Sequence, residues 1–261
     1  MAKVDQSLKQ KPKDGSLWFQ RAMLQFEHED LAAAAVDFEK AEKFAPGEFA
    51  VQWWQGKILA AQGKPLEAKA TLDAYLAKIP DHWGALASRA RVSMTLKNIP
   101  ESLEDFRSAL KRCPQPGPDL IQEVAQALAA NECTDEAVNI LETGLNQLGS
   151  VPSLQLKLIE IEADAERVDA ALARIDQFQK TAARPEPWMQ KRASTLASAG
   201  RLPQSRNAWQ ALIDHLEALP AAQRESHAMT LMAEHARAAI QVLASMPPAP
   251  ASSNPFSRLN L

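Results

Sequence analysis

The chain has 261 residues, 46% of them hydrophobic and 23% charged, which is enough apolar material to bury a core and excludes disorder over most of its length. Nine glycines and one tyrosine are few for a sheet protein, whereas strong helix formers abound, so an all-α fold is expected. A formal net charge of −3 gives no reason to expect a nucleic-acid partner.

In chain order, residues 1–14 form an N-terminal segment without the apolar run of a signal peptide. From Gly15 a 34-residue period begins. Its first unit carries Trp18, Ala22, Ala34, Phe38, Ala41 and Pro46, and the second carries Gln52, Gly56, Ala68, Leu72, Tyr75 and Pro80 at the same offsets. The third repeats them as Leu86, Ala90, Ser102, Phe106, Ala109 and Pro114. After one extra residue in CPQPGP the register resumes through Ala125 and Ala137, Ile159 and Ala171, then Ala193 and Ser205. Six units follow from this frame: 15–48, 49–82, 83–117, 118–151, 152–185 and 186–220. Each reads as two helices, with small residues where they approach closely. Gly63 and Gly200 fall at turns inside units, and Pro65, Pro100 and Pro203 at the first turns of second helices. Asp30 and Thr134 are expected N-caps. Residues 221–246 keep helical apolar spacing and suit a capping helix, and 247–261, rich in proline, reads as a flexible tail with Phe256, Leu259 and Leu261 near its end.

This pattern resembles the tetratricopeptide repeat (TPR) family over roughly residues 15–220. The resemblance implies an α-solenoid of six helix-turn-helix repeats in a right-handed superhelix, whose first helices line a concave groove. Carried onto this sequence, the family's groove positions include Phe19, Met23, Phe26, Trp53, Trp54, Lys57, Arg91 and Met94. Adjacent helical residues point about 100° apart, so Trp53 and Trp54 cannot enter one core together. Trp53 is expected to divide its surface between a neighbouring repeat and the groove, and Trp54 to face a partner. The positions with which TPR proteins clamp a chaperone's terminal carboxylate hold Phe19, Met23, Trp54, Gly84 and Ser88 here, so that clamp is absent.

Nothing in the sequence predicts catalysis. The two cysteines, Cys113 and Cys133, lack metal-ligand spacing, and His227 and His235 are eight apart rather than the four of a metalloprotease helix. No phosphate-binding or nucleophile-elbow motif occurs. No metal, cofactor or membrane span is expected, and the compartment is expected to be the cytoplasm. The reading is a non-catalytic adaptor or scaffold holding a protein partner as a helix, an extended peptide or a filament surface. Overall likeness to the bacterial kinesin light chains implies bacterial tubulin as that partner, with a peripheral membrane link. The competing reading is an assembly factor for an envelope or secretion complex, acting through its convex face or its tail. Charge is uneven: residues 49–117 carry 10 Lys and Arg against 6 Asp and Glu, and 118–183 carry 4 against 12, which raises the expectation of head-to-tail association.

Overall fold

The computed structural model describes residues 1–245, so the expected tail at 247–261 lies outside the described residues. Every regular element among the described residues is a helix, and they divide into two compact units, 1–131 and 132 onward. The division falls inside the stretch 118–151, between its two helices.

In the first unit, α1 spans Ala2–Gln10, α2 Gly15–Glu27 and α3 Leu31–Phe44. They are followed by α4 at Val51–Ala61, α5 at Pro65–Leu76, α6 at Trp83–Thr95, α7 at Ile99–Arg112 and α8 at Pro118–Ala129. Side chains fix several starts. The Asp14 carboxylate accepts from the Ser16 and Leu17 amides, Asp30 from Ala33, and His82 Nδ1 from Ala85. Proline opens α5, α7 and α8, where its missing N–H costs nothing.

The helices pack chiefly as the pairs α2 with α3, α4 with α5 and α6 with α7, and each pair also packs on the next. Small residues permit the approach. A Cβ on Gly56 would lie 2.7 Å from Leu72 Cγ, so α4 and α5 meet at a distance only glycine allows. Where Ser102 takes the place of the buried alanines Ala34 and Ala68, its hydroxyl donates to the Ala90 carbonyl at 2.8 Å, so the buried oxygen is not left unpaired.

Residues 1–14 are not a bare lead-in, because α1 docks on α2 through Leu8 and Asp5. Arg21 bonds Asp37 through two nitrogens and reaches Asp5, 16 residues back, at 2.9 Å. Arg89 does the same with Asp105 and with Asp73, also 16 residues back. Helix α1 thus stands toward α2 as α5 stands toward α6, covering a face that would otherwise be open.

In the second unit, α9 spans Thr134–Leu148, α10 Pro152–Asp164, α11 Val168–Thr181, α12 Glu186–Ser198 and α13 Leu202–Ala218. Thr134 is the first helical residue rather than the cap, a place taken by Cys133 with no side-chain cap bond. Leu141, Leu154, Leu158, Ile159 and Ile175 are fully buried. Residues 221–245 form two helices instead of one: a single turn, α14 at Ala221–Arg224, and then α15 at His227–Ser245. Glu225 and Ser226 separate the two, and the Ser226 carbonyl accepts the Thr230 amide as the new helix begins. Helix α15 lays Met229, Ala236 and Leu243, seven apart, against Trp209, Leu212 and Leu216, and each buried Met or Leu side chain contributes about 1.5–3 kcal/mol.

Candidate groove on the first unit

Helices α2, α4 and α6 are the first members of their pairs, and α4 also touches α6 directly, so the three bring their exposed residues onto one face. Beneath it lies an aromatic cluster. Phe19 stacks on Phe49 with centroids 4.7 Å apart and meets Phe38 edge-on at 5.6 Å. Met23 and Phe26 pack half-buried against the same cluster.

Trp54 does not stand exposed on this face as its groove position implies. Its ring is only 8% exposed, stacks on Phe38 at 5.4 Å and meets Phe26 edge-on at 5.5 Å. Trp54 therefore belongs to the core joining α2, α3 and α4, and does not face a partner. Trp53 does not part from it: the two ring centroids lie 5.0 Å apart and Trp53 packs against the same cluster, so the 100° offset does not keep the pair out of one core, and the outer edge of Trp53 reaches on toward α6. Its indole N–H donates to Ser88 Oγ at 2.8 Å, and its ring covers Gly84, where a Cβ would lie 2.8 Å from Trp53 Cζ2. Half-buried, Trp53 has its contacts supplied by the next pair.

One turn on from the tryptophans, Lys57 Nζ sits 3.8 Å from the Trp54 ring centroid, 5.0 Å from Phe26 and 5.3 Å from Trp53. Burial against these rings, reinforced by the charge of Arg91, lowers its ammonium to about 8. Arg91 is exposed and pairs with both Glu123 oxygens, at 2.5 and 2.6 Å.

Beside Lys57 opens a cavity of about 330 Å³ walled by Phe26, Ala60, Leu72 and Val92, with Arg91 and Thr95 at its edge. A second cavity, about 440 Å³, shares Arg91 and Thr95 and continues past Met94 to Phe106 and Ala127. Of the residues singled out by sequence, Phe26, Lys57, Arg91 and Met94 line these cavities, whereas Phe19, Met23, Trp53 and Trp54 pack beside or beneath them. The walls Ala60, Leu72 and Val92 went unrecognised in the sequence. The opening between α4, α5 and α6 depends on small side chains whose positions in the repeat otherwise signify close packing.

In the second unit, Glu186 is buried, with Oε1 3.5 Å from His215 Nε2, beside a cavity reaching Met229. His235 meets the Trp209 ring edge-on at 5.3 Å and lies 3.1 Å from Gln190 Nε2, a packing role. Among the described residues no group of three His, Cys, Asp or Glu side chains is placed to hold a metal, and no helix is long and apolar enough to cross a membrane.

Residues 55–115 match the family model described as "Tetratricopeptide repeat". No curated protein sequence matches the chain. Among solved structures, a tetratricopeptide repeat protein from Parabacteroides merdae is similar at a TM-score of 0.56 and 16% identity, covering 89% of this chain and 93% of that one. Pseudomonas aeruginosa PilF is similar at a TM-score of 0.56 and 13% identity, covering 86% and 96%. Yeast Tom70 gives 0.57 and 16%, covering 83% of this chain and 46% of that one. At these identities the likeness is one of fold.

Proposed function

Starting from the premise that the chain is a tetratricopeptide-repeat protein, we propose that it is a non-catalytic, cytoplasmic adaptor that grips a protein partner through the exposed face of α2, α4 and α6. The observation that carries this reading is the pair of adjoining cavities either side of Arg91, whose apolar walls are open where a folded chain ordinarily closes them. Phe26, Lys57, Arg91 and Met94 form the contact surface, and Phe19, Met23, Trp53 and Trp54 hold it in shape. A bacterial-tubulin filament is the partner supplied by the resemblance to bacterial kinesin light chains, and co-sedimentation with such filaments tests that identity.

A photo-crosslinking residue, benzoylphenylalanine, placed at Ala60 in the cavity is expected to capture a defined partner in cells. The same residue at Leu66, exposed on α5 and outside both cavities, is expected not to. Crosslinks from Leu66 alone would overturn the groove reading and favour an assembly factor acting through its other surfaces.

A further inference from the structure

We infer that the groove selects an extended acidic peptide, one of whose bulky apolar side chains enters the cavity walled by Phe26, Leu72 and Val92 while a neighbouring Asp or Glu pairs with Lys57. This rests on the adaptor reading and names the partner's chemistry.

Most partly buried cations of the first unit already have carboxylates. Arg89 holds Asp73 and Asp105, Lys69 holds Asp73 and Glu101, Arg91 holds Glu123 and Arg112 holds Asp81. Lys57 stands apart. Among the described residues no carboxylate lies within 4 Å of its Nζ, and the charged group acting on it is another cation, Arg91. Its surroundings on one side are three aromatic rings, which attract a cation but offer no hydrogen-bond acceptor of carboxylate strength. A half-desolvated ammonium at the mouth of an apolar cavity leaves a charge that a bound anion would complete, in surroundings where Coulomb attraction exceeds its value in open water. The lowered protonation constant of Lys57 has the same origin.

One feature points to an extended peptide and another to where its charge falls. The cavities lie in succession, sharing Arg91 and Thr95, so a ligand following the groove meets two apolar recesses in turn. Arg91 between them already holds Glu123, which leaves Lys57 as the groove lysine without a carboxylate of its own. This site differs from the missing chaperone clamp, whose positions here are Phe19, Met23, Trp54, Gly84 and Ser88.

The test pans a random peptide-display library against the full chain, its Lys57→Met variant and an Ala60→Trp variant that fills the cavity, all checked for helicity. Wild type is expected to enrich peptides with Asp or Glu beside Leu, Ile, Phe or Met, and Lys57→Met to keep the apolar preference without the acid. Changing that acid to its amide in a selected peptide should weaken wild-type binding about tenfold and leave Lys57→Met binding unchanged. The peptide change on wild type decides the matter even if Lys57→Met is unstable. Apolar peptides without acidic preference, lost with Ala60→Trp, would overturn the inference and leave the groove reading standing. A library yielding no peptide sensitive to Ala60→Trp would overturn both.

Discussion

Placement of the paired indoles sets what each is worth at the residue scale. Trp54, 8% exposed among Phe19, Phe26 and Phe38, ties α4 to α2 and α3, so Trp54→Ala leaves a cavity the size of an indole at the joint of two helix pairs. The expected loss is about 3–5 kcal/mol. Trp53→Phe removes the outer indole edge that covers Gly84 as well as the hydrogen bond to Ser88, an expected loss of about 1–3 kcal/mol. Urea unfolding followed by circular dichroism measures both, and equal midpoints for Trp54→Ala and wild type would return Trp54 to the surface. The sequence expectation that the two rings would part is not met, because a 100° offset at the backbone still lets long side chains turn back into contact, here with centroids 5.0 Å apart. Which ring meets a core was not legible either, since Phe19 and Phe38 come from other helices and their rotamers decide what space remains. Lys57 was legible as a groove residue, but its isolation from carboxylates depends on where Arg91 and Glu123 meet across 32 residues.

At the scale of elements, the turns inside the helix pairs share one backbone device. Glu29, Gly63, Lys97, Glu132, Glu166 and Gly200 all have positive φ, between 60° and 73°, at spacings of 34 or 35 residues. After five of them the next amide reaches back five residues, as in Asn98 to the Ser93 carbonyl and Arg167 to Glu162, the bonding that closes a helix on a left-handed residue. A side chain in that conformation costs about 1–2 kcal/mol, partly offset by the extra unfolded-state freedom of glycine. Lys97→Gly and Glu166→Gly are therefore each expected to stabilise the fold by about 0.5–1 kcal/mol, with Gly63→Ala a loss of similar size. Thermal melts of the four proteins check the order, and a lowered melting point for Lys97→Gly would contradict it. Glycine announced two of these turns in the sequence. The other four carry Glu or Lys, whose own preference is overridden by the packing of the helices on either side, so only the period marked them. Helix α1 escaped for a related reason: it supplies one partner helix without a unit of its own, and 14 residues cannot display a 34-residue period. The break at Ser226 was overlooked because the apolar spacing on either side is helical.

For the whole molecule, charge has to be counted over bodies that fold together, and the two compact units redraw the blocks seen along the sequence. The basic stretch 49–117 lies within a unit whose residues 1–131 carry 17 Lys and Arg against 17 Asp and Glu, so it belongs to a body of zero net charge. The acidic stretch is also largely balanced at contact range. Asp135, Glu142, Asp169 and Asp176 pair with Arg167, Arg174, Arg201 and Arg192, the first three across 32 residues, and Glu162 lies 3.4 Å from Arg174. A paired charge acts as a short dipole, whose field dies away well inside the roughly 8 Å screening length of physiological salt. Most of these pairs are exposed and add little stability one by one, yet together they remove the long-range attraction that head-to-tail association would need. The sequence count raised that association by treating blocks of chain as if they were surfaces. The expected outcome of velocity sedimentation is thus one sedimentation coefficient from about 0.05 to about 0.5 M salt, since the Debye length falls several-fold over that range. A faster-sedimenting species that appears at low salt and dissolves at high salt would show that the charges left unpaired, such as Lys57, find carboxylates on a second copy of the chain.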